Sequence, residues 1–456
     1  MLKTREIDWR SPMGAFAPLA QERGAILLTS GATARAVGWA IIVAFPAGTI
    51  ARSEGKTTID GVLTDVSPFA LLKDMHRRRA EDASDVDAPF ASGLLGYAGY
   101  ECGALVEPSV ALPRTPYALP DFHFGAYDAC AAFDVERRRV FLISRNEAAG
   151  ERLAAALGAP GDAWRPAANR FSPPHFAVSA EDYERAVDGA IARIRDGEFY
   201  QANLSQRFFV EAQAPFDPFS LFASAAAASS AAYGAFLQLG VAQILSLSPE
   251  RFFAVRRNSD RRLSIVAEPI KGTRPRSDIP QEDARLLSEL MADPKDRAEN
   301  IMIADLTRND LSRICEDHTV REESICEAVS LASVHHLVSR ISGVLREDLG
   351  AVDALEALFP CGSITGAPKI QAMKAIADIE RIGRGPYCGA IGYLDDRGAA
   401  DFSVAIRIAI AEGRRVATPV GGGVTLRSDP GTEYQETIAK ARAWLGAFGY
   451  ADWRAP

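Results

Sequence analysis

The chain has 456 residues, of which 48% are hydrophobic and 24% charged, with a formal net charge of −8. This length allows one large domain or two to three ordinary ones, with enough apolar material for a core. The negative charge argues against nucleic acid or an anionic membrane as the default partner, because neither polyanion gains from an acidic surface.

The N-terminal segment MLKTREIDWRSPMG lacks the apolar core of a secretion signal. The longest apolar run, VGWAIIVAFPAG, is too short and too interrupted to span a bilayer. The six cysteines are scattered, without a Cys-x-x-Cys pair or zinc-ligand spacing. We therefore expect a cytoplasmic protein with reduced, mostly buried thiols.

Residues 1–150 predict a sheet with few helices, because apolar runs such as GLLGYAGY alternate with Gly and Pro. Residues 151–178 predict a short helix and then a Pro-rich passage, which is the best candidate for an internal boundary. We therefore divide the sequence into a first region, residues 1–170, and a second region, residues 171–456.

The second region mixes helices and strands. From Ser179 the pattern predicts a helix that stops at Gly197 and leads into a strand, and ASAAAASSAAYGAF predicts a helix of small residues. A long helix is predicted over about 281–313, and SVHHLVSRISGVL predicts a strand. DFSVAIRIAIAEG and RVATPVGGGVTLR predict paired strands before a final helix that begins near DPGTEYQ. This uneven segregation favours an α+β fold.

The final helix carries the clearest geometric signal. Glu433, Glu436 and Lys440 are spaced at i, i+3 and i+7, which places them on one helix face. Two carboxylates there would suit a hard cation such as Mg²⁺. The alternative is a solvated face with a Glu–Lys pair, and spacing alone favours it. The helix follows three glycines that would let a ligand approach backbone amides: Gly421, Gly422 and Gly423.

Other candidates are ambiguous on pattern alone. Glu299 lies in DRAENIMIADL, where Ile301, Met302, Ile303 and Leu306 predict a buried helix face, and a carboxylate near such a face needs a partner. The alternative is that Glu299 faces solvent. Asn300 follows it directly.

Three further candidates also have structural alternatives. Thr365 stands in FPCGSITGAPKI, before a predicted helix whose free amides would suit an anion. His335 and His336 alternate along a strand, so only one faces a given side, and a hydrogen-bonded core histidine is the default. Glu250, after a Ser-Pro turn, would be either a proton donor or a rim residue.

Eight segments in a fixed order resemble the chorismate-utilising enzymes: GEFYQANLSQRF, SPERFF, PIKGTRPR, ENIMIADLTRNDLSRIC, SVHHLVSRISG, FPCGSITGAPKIQAM, YCGAIGYL and EYQETIAKA. They span roughly residues 179–445, and the first region is similar to the variable N-terminal part of the same enzymes. Weak independent motifs in a fixed order combine into a specific match. Within the family the chain most resembles the aminodeoxychorismate synthase branch, component I, of the para-aminobenzoate route toward folate.

The resemblance implies an α+β fold of two packed, mostly antiparallel sheets with helices on the outside. It also implies that residues 1–170 supply strands to both sheets, so that the two regions form one intertwined unit.

A Mg²⁺ site is implied by the same resemblance, with Glu299 and Glu436 as ligands and Glu433 as a water-mediated ligand or support. The ion would hold and neutralise the ring carboxylate of chorismate. The other implied substrate contacts are Tyr387, Arg407, Lys440, Thr365, Gly421, Gly422, Gly423 and Gln201.

Four positions carry the implied chemistry. Glu250 matches the general acid that protonates the departing C4 hydroxyl, a task that requires a raised pKa. His336 matches the family's active-site histidine. Gln201 stands where water-adding members carry a lysine, which disfavours isochorismate or salicylate synthesis. Lys271 stands where anthranilate synthases usually have Ala.

Lys271 is implied as a nucleophile that attacks C2 of chorismate as the C4 hydroxyl leaves. Ammonia then enters at C4 and expels the lysine, giving 4-amino-4-deoxychorismate. The attacking amine must be neutral, and neighbouring cations favour that state. We expect Arg274, Arg276 and Mg²⁺ to act in this way; the alternative is a surface lysine in a basic turn.

Ammonia needs a source, and the sequence contains no Gly-x-Cys-x-Gly turn of the glutaminase type. We therefore expect a separate glutamine amidotransferase subunit in a heterodimer, or use of free ammonia. One alternative function is anthranilate synthase component I, which aminates at C2 and releases pyruvate. A second is a non-catalytic homologue, which Glu250, Glu299 and Glu436 disfavour. GAILLTSGA departs from the Leu-Leu-Glu-Ser pattern of feedback-sensitive relatives, so we expect no inhibition by tryptophan.

Overall fold

The computed structural model describes residues 2–29, 38–80, 86–161, 163–229, 231–331 and 334–453. Its strands are β1 Lys3–Ile7, β2 Ile26–Thr29, β3 Trp39–Val43, β4 Gly48–Ser53, β5 Lys56–Ile59, β6 Val62–Thr64, β7 Gly93–Ala98, β8 Phe122–Tyr127, β9 Ala129–Asp134, β10 Arg139–Ser144, β11 His175–Phe176, β12 Gln201–Glu211, β13 Tyr233–Gln238, β14 Ala242–Ser248, β15 Arg251–Arg257, β16 Leu263–Ala267, β17 Ile270–Pro275, β18 Arg321–Ser330, β19 Val334–Val344, β20 Gly366–Ala367, β21 Ala390–Asp395, β22 Ala400–Val404, β23 Ile408–Glu412 and β24 Arg415–Thr425.

The helices of the same described ranges are α1 Pro12–Phe16, α2 Pro68–Arg79, α3 Gly103–Val106, α4 Glu147–Ala156, α5 Ala180–Arg195, α6 Pro218–Ala227, α7 Pro280–Ala292, α8 Pro294–Ser312, α9 Ala351–Leu358, α10 Lys369–Glu380 and α11 Pro430–Ala447. No helix in these ranges is both long and apolar enough to cross a membrane. The six cysteines are free, and Cys361 is the one that is half-buried rather than buried.

The strands form two antiparallel sheets. The first sheet has the order β1-β10-β9-β3-β2-β13-β14-β23-β24-β12-β11, with β20 paired to β12. The second has the order β17-β19-β16-β15-β22-β21-β7-β8-β4-β5-β6, with β18 paired to β19. The predicted α+β fold of two antiparallel sheets with helices is confirmed.

The main core lies between the two sheets. One cluster of buried residues combines Ile41 and Ile244 of the first sheet with Leu95 and Phe253 of the second. Strands from both regions also pair directly, because β2 is hydrogen-bonded to β13 and β7 to β21. The division of the sequence at residue 170 therefore marks no break in either sheet, and its meaning as a domain boundary stays a prediction.

Two of the places at which the chain crosses between the sheets in the second region are adjacent in space. One crossover, Pro249 and Glu250, joins β14 to β15, and the other, residues 405–407, joins β22 to β23. The two crossovers are hydrogen-bonded to each other: the Val404 N–H donates to the Glu250 carbonyl oxygen at 3.1 Å. Arg407 adopts a left-handed backbone conformation, with φ of 52°. Glu250 and Arg407, which resemble active-site residues of the family, therefore both lie where the chain crosses from one sheet to the other.

The single long helix predicted over about 281–313 is wrong, because the structure has α7 and α8 in its place. The break falls at Asp293, whose side chain caps α8 by accepting the N–H groups of Lys295 and Asp296 at 2.8 and 3.1 Å. Pro294 follows at the first helical position, where its missing N–H costs nothing, whereas in a continuous helix it would remove a hydrogen bond. Ile301 also differs from the expected buried face, since it is 47% exposed.

Two other segments were predicted as single elements and contain two. ASAAAASSAAYGAF begins in α6, which ends at Ala227, and finishes in β13; residue 230 lies outside the described ranges. DFSVAIRIAIAEG contains β22 and β23, which belong to different sheets. The predictions from GAILLTSGA beyond Thr29 and from residue 333 also lie outside the described residues. The helix predicted from Ser179 is confirmed as α5, with the Ser179 hydroxyl accepting the Asp182 N–H at 3.1 Å.

Candidate active site

Glu250 and Lys271 meet at one residue, Ser363. Glu250 is 4% exposed, and its Oε1 accepts a hydrogen bond of 2.7 Å from the Ser363 hydroxyl. Lys271 extends from β17, and its Nζ donates to the Ser363 carbonyl oxygen, also at 2.7 Å. Ser363 belongs to a 3₁₀ turn, Gly362–Ile364. We call Glu250, Lys271 and Ser363 the acid–lysine cluster.

The charge environment of Glu250 suits a proton donor. Burial raises its pKa, and the hydrogen bond from Ser363 and the charges of Lys271 and Lys440 only partly offset that effect. Arg407, on the neighbouring crossover, also lies within electrostatic reach of Glu250, and burial lowers the pKa of its guanidinium. Glu250 is therefore a carboxyl that holds its proton more tightly than an exposed one.

His336 rather than His335 faces the candidate site. The His335 ring is hydrogen-bonded on both nitrogens, to the Ser330 hydroxyl at 2.7 Å and to Asp283 at 3.0 Å. His336 Nδ1 is hydrogen-bonded to the Thr273 hydroxyl at 2.9 Å, while its buried Nε2 has no partner in the described part of the chain. Burial, with the charge of Arg407, lowers the pKa of His336 to about 4. Its imidazole is therefore neutral at physiological pH.

The two arginines after Lys271 do not supply the expected cationic crowding. Arg274 forms ion pairs with Asp293 and Asp296, at 2.8 and 3.0 Å. Arg276 forms one with Asp283 at 2.8 Å. Both charges are thus matched by carboxylates on α7 and at the start of α8. The expectation that these arginines act on Lys271 is wrong, because their side chains are engaged with the helices that cover this end of β17.

Three consecutive glycines of β24 make room for side chains of the site. A Cβ on Gly421 would lie 2.9 Å from the Tyr387 hydroxyl, and one on Gly422 would lie 3.0 Å from Glu433 Oε2. A Cβ on Gly423 would collide with the side-chain amide of Gln201. Larger residues would therefore displace three of the predicted site residues.

Gln201 and Tyr387 are buried beside this glycine run. Gln201 is 1% exposed, and neither its Nε2 nor its Oε1 has a hydrogen-bond partner among the described residues. A buried amide without partners is costly unless a ligand or water satisfies it. Tyr387 is 4% exposed, and burial raises the pKa of its hydroxyl well above the ordinary value, so that it remains a donor.

Carboxylates from two helices form a second part of the site, beside the glycine run. Glu299 on α8 and Glu433 on α11 share one cation, since Lys295 Nζ lies 4.0 Å from Glu299 Oε1 and 3.8 Å from Glu433 Oε1. Glu436 forms an ion pair of 2.7 Å with Lys440, whose Nζ also donates to the Gly421 carbonyl oxygen at 2.9 Å. We call Glu299, Glu433 and Glu436, with Lys295 and Lys440, the carboxylate rim.

The rim and the acid–lysine cluster lie within electrostatic reach of each other. Lys271 lowers the pKa of both Glu299 and Glu436, as it does that of Glu250, so its ammonium lies within electrostatic reach of all three carboxylates. In Glu299, burial outweighs this effect and raises the pKa. In Glu436, burial is outweighed by Lys440, and the pKa is lowered.

The rim fits a hard cation in its chemistry. Glu299 Oε1 and Glu433 Oε2 are buried oxygens without a hydrogen-bond partner in the described residues. Unpaired carboxylate oxygens are the ligands that Mg²⁺ prefers. In the described residues, however, no three His, Cys, Asp or Glu side chains converge as a ready metal group. The carboxylates of the rim are therefore suitable ligands for Mg²⁺. In this structure their oxygens are contacted by Lys295 and Lys440 rather than by one another.

Thr365 and Asn300 have structural contacts. Thr365 is fully buried, its hydroxyl donates to the Cys361 carbonyl oxygen at 2.8 Å, and its own carbonyl oxygen accepts the Asn203 N–H at 2.9 Å. Asn300, also fully buried, donates from Nδ2 to the Leu337 carbonyl oxygen at 3.0 Å. Asn300 therefore fastens α8 to β19 directly beside His336.

Two residues of the site escaped sequence reasoning. Ser363 lies inside the segment FPCGSITGAPKIQAM, but nothing in its spacing indicates that two of its atoms contact Glu250 and Lys271. Lys295 lies one turn before Glu299, and this i to i+4 spacing with a glutamate was the available signal.

The comparisons with known proteins agree with this geometry. Residues 24–446 match the family model described as chorismate binding enzyme. Aminodeoxychorismate synthase component 1 of Klebsiella aerogenes is 37% identical, over 96% of this chain and 97% of the relative. Anthranilate synthase component 1 of Lactococcus lactis subsp. lactis is 30% identical, over 98% and 99%.

A solved structure, that of anthranilate synthase component I from Streptococcus pneumoniae TIGR4, superposes with a TM-score of 0.78 at 30% identity. The superposition covers 89% of this chain and 92% of that one. Such coverage by sequence and by fold leaves little of either chain unmatched. The chain therefore belongs to the chorismate binding enzyme family.

Proposed function

We propose that the chain is component I of an aminodeoxychorismate synthase, which aminates chorismate at C4 to give 4-amino-4-deoxychorismate. The observation that carries this proposal is the position of Lys271. Its Nζ shares Ser363 with the acid Glu250 and lies within electrostatic reach of Glu299 and Glu436. A lysine within reach of these three carboxylates supports a role in chemistry on the substrate rather than a solvent-exposed position.

In the proposed reaction Lys271 acts as the nucleophile. Its neutral amine forms a bond to C2 of chorismate, the ring double bonds shift, and the C4–oxygen bond breaks. Glu250 gives its proton to the departing hydroxyl, which leaves as water. Ammonia then forms a bond to C4, the double bonds shift back, and the bond between C2 and the lysine breaks. The electron pair returns to Lys271, and the product carries nitrogen at C4.

The substrate's two carboxylates need positive or donor groups. Arg407 suits the enolpyruvyl carboxylate, because no acceptor in the described residues engages its guanidinium by a hydrogen bond. The Tyr387 hydroxyl and the backbone of Gly421 to Gly423 would complete this part of the site. Neutral His336 and the unpartnered amide of Gln201 would donate or accept further hydrogen bonds.

Glu299 and Glu436 would hold Mg²⁺, with Glu433 as support, since Glu299 and Glu433 carry buried oxygens that lack a hydrogen-bond partner among the residues that the structure describes. When bound, the ion would supply charge neutralisation for the ring carboxylate. Ammonia would come from a glutamine amidotransferase subunit, as the name "component 1" of the Klebsiella relative suggests.

Product analysis tests the proposal. The purified chain is incubated with chorismate, Mg²⁺ and ammonium, with and without an added aminodeoxychorismate lyase, and products are followed by mass spectrometry and fluorescence. We expect 4-amino-4-deoxychorismate, converted to para-aminobenzoate only when lyase is present. Anthranilate fluorescence without lyase would favour the second candidate, anthranilate synthase component I, which the Lactococcus relative and the Streptococcus structure support.

Lys271→Ala tests the covalent role. We expect loss of 4-amino-4-deoxychorismate formation by at least about a hundredfold, because the nucleophile is removed. Lys56→Ala, a change of an exposed lysine on β5, is the matched control and should behave as the unchanged chain. Unaltered product formation by Lys271→Ala would remove the covalent step from the mechanism.

A further inference from the structure

Ser363 is the point at which the acid and the lysine of the candidate site are joined. Its hydroxyl donates to Glu250 Oε1 at 2.7 Å, and its carbonyl oxygen accepts from Lys271 Nζ at 2.7 Å. Ser363 is 4% exposed, so both contacts are shielded from water. Each functional group therefore has a fixed partner, and the two partners are atoms of the same residue.

The turn that contains Ser363 contacts α8 on one side and β12 on the other. A Cβ on Gly362 would lie 2.5 Å from the Leu306 side chain, so the turn packs closely on α8. On the other side, the Thr365 carbonyl oxygen accepts the Asn203 N–H of β12 at 2.9 Å. A turn that is packed and hydrogen-bonded in this way fixes the position of the groups that it contacts.

From this geometry we propose that Ser363 is a positioning residue, which holds the Glu250 carboxyl and the Lys271 amine in fixed relation to each other for the reaction on chorismate. This inference rests on the proposed function for its chemistry, although the contacts themselves do not. With Oε1 occupied by the serine, the other carboxyl oxygen of Glu250 is the one left to carry and deliver the proton.

Several charged or titratable groups face Glu250 and enter any test by pH. They are Lys271 from β17, Lys440 from α11, Arg407 from the neighbouring crossover and Cys361 before the turn. Cys361 Sγ lies 3.3 Å from the Ser363 hydroxyl oxygen, and burial raises the pKa of this thiol to about 12. The neutral thiol can donate to Ser363, which donates to Glu250. Of these groups, Ser363 is the one that makes a side-chain hydrogen bond to Glu250.

Ser363→Ala removes the hydroxyl and keeps the backbone carbonyl that binds Lys271. We expect chorismate consumption to fall about tenfold, because a hydrogen bond to a charged or proton-donating carboxyl is lost. The limb of the pH–rate profile that belongs to Glu250, identified as the limb absent in Glu250→Gln, should move up by about one pH unit, because the serine hydrogen bond stabilises the ionised form of Glu250. Ser363→Thr restores a hydroxyl and should return both properties to within about threefold and a few tenths of a pH unit.

Ser312→Ala, which removes an exposed hydroxyl at the end of α8, is the control and should change neither property. A Glu250 limb that stays in place in Ser363→Ala, or a Ser363→Thr chain that behaves like the alanine variant, would overturn the proposal. If Ser363→Ala does not fold, Ser363→Cys, which keeps the volume and a weak donor, should show the same upward movement, and its absence would likewise overturn the proposal.

A measurement without substrate separates this inference from the proposed function. The carboxyl stretch of Glu250 is identified in infrared difference spectra by its absence in Glu250→Gln. Its titration should move to higher pH in Ser363→Ala whatever product the enzyme makes, and an unchanged titration would overturn the positioning role. Formation of anthranilate would instead overturn only the proposed function.

Discussion

The two sides of the candidate site are built on different principles. In the acid–lysine cluster, Glu250, Lys271 and Ser363 are joined by short hydrogen bonds to one rigid turn. In the carboxylate rim, Glu299 and Glu433 share a lysine at 3.8 to 4.0 Å and keep buried oxygens that have no hydrogen-bond partner in the described part of the chain. One side is complete within the protein, whereas the other has unsatisfied acceptors. A preassembled side suits bond making and breaking, and an unsatisfied side suits capture of an ion or ligand.

The largest effect should come from the preassembled side. Glu250→Gln keeps the shape but cannot donate a proton, so we expect chorismate consumption to fall by about 10² to 10⁴. In the unchanged chain, the protonated fraction of Glu250 declines as pH rises through its raised pKa while the neutral fraction of Lys271 increases, so the pH–rate profile should bend at the Glu250 pKa and this bend should be absent in Glu250→Gln. Steady-state rates from pH 5.5 to 9 measure both expectations.

Glu347→Gln, a change at an exposed position after β19, is the control for this experiment. A Glu250→Gln chain that retains more than a tenth of the rate would show that the proton comes from another group. The distinction between the two sides of the site would then fail.

A smaller effect on the rate, and a direct effect on metal binding, should come from the rim. Glu299→Gln removes a charged oxygen donor, so we expect Mg²⁺ affinity, measured by calorimetry without substrate, to weaken at least about tenfold. Unchanged affinity would exclude Glu299 as a ligand and leave the unpartnered oxygens of the rim unexplained.

Lys295→Met removes a positive charge from the carboxylate rim, whereas Glu299→Gln removes a negative one. Lys295 attracts Glu299 and Glu433, and its charge competes with a bound cation. We expect Mg²⁺ affinity to rise about threefold to tenfold at low ionic strength and the gain to shrink with added salt, because the competing lysine is partly exposed. Weaker binding would mean that Lys295 supports the ion site rather than opposing it.

The smallest effect should come from Arg276. Its guanidinium is paired with Asp283 and also donates to the Leu331 carbonyl oxygen at 2.7 Å. Arg276→Gln should therefore change the rate of chorismate consumption by less than about twofold, since the charge of Arg276 is neutralised by Asp283, which is not part of the acid–lysine cluster. A loss of tenfold or more, in a variant with unchanged thermal unfolding, would restore the idea that cationic crowding activates Lys271.

The sequence predicted the fold, and it indicated many residues that the structure brings to the candidate site, because these depend on local pattern and on family motifs. The glycine run and the α11 carboxylates could be recognised from spacing, and both lie at the site. The resemblance to family motifs predicts that Glu250 and Lys271 belong to one site, and in the structure both residues contact Ser363.

Orientation could not be predicted, because it is set by partners from other elements. Arg274 follows Lys271 by three residues, yet its direction depends on Asp293 and Asp296. Those carboxylates stand where they do because Asp293 and Pro294 begin a new helix, a break that the helical pattern did not predict. The role of Ser363 was hidden for the same reason: its contacts reach residues about 90 and 110 positions away in the chain.

The strand pairings β2–β13 and β7–β21 limit how such a chain can be divided or recombined. A fragment that began at residue 171 would leave β13 and β21 each without one of its two neighbours, so both sheets would present open hydrogen-bonding edges to solvent. Gene fission near residue 170 would therefore require the two products to find each other and complete both sheets together. The first region therefore completes both sheets for the strands of the second region within the same molecule.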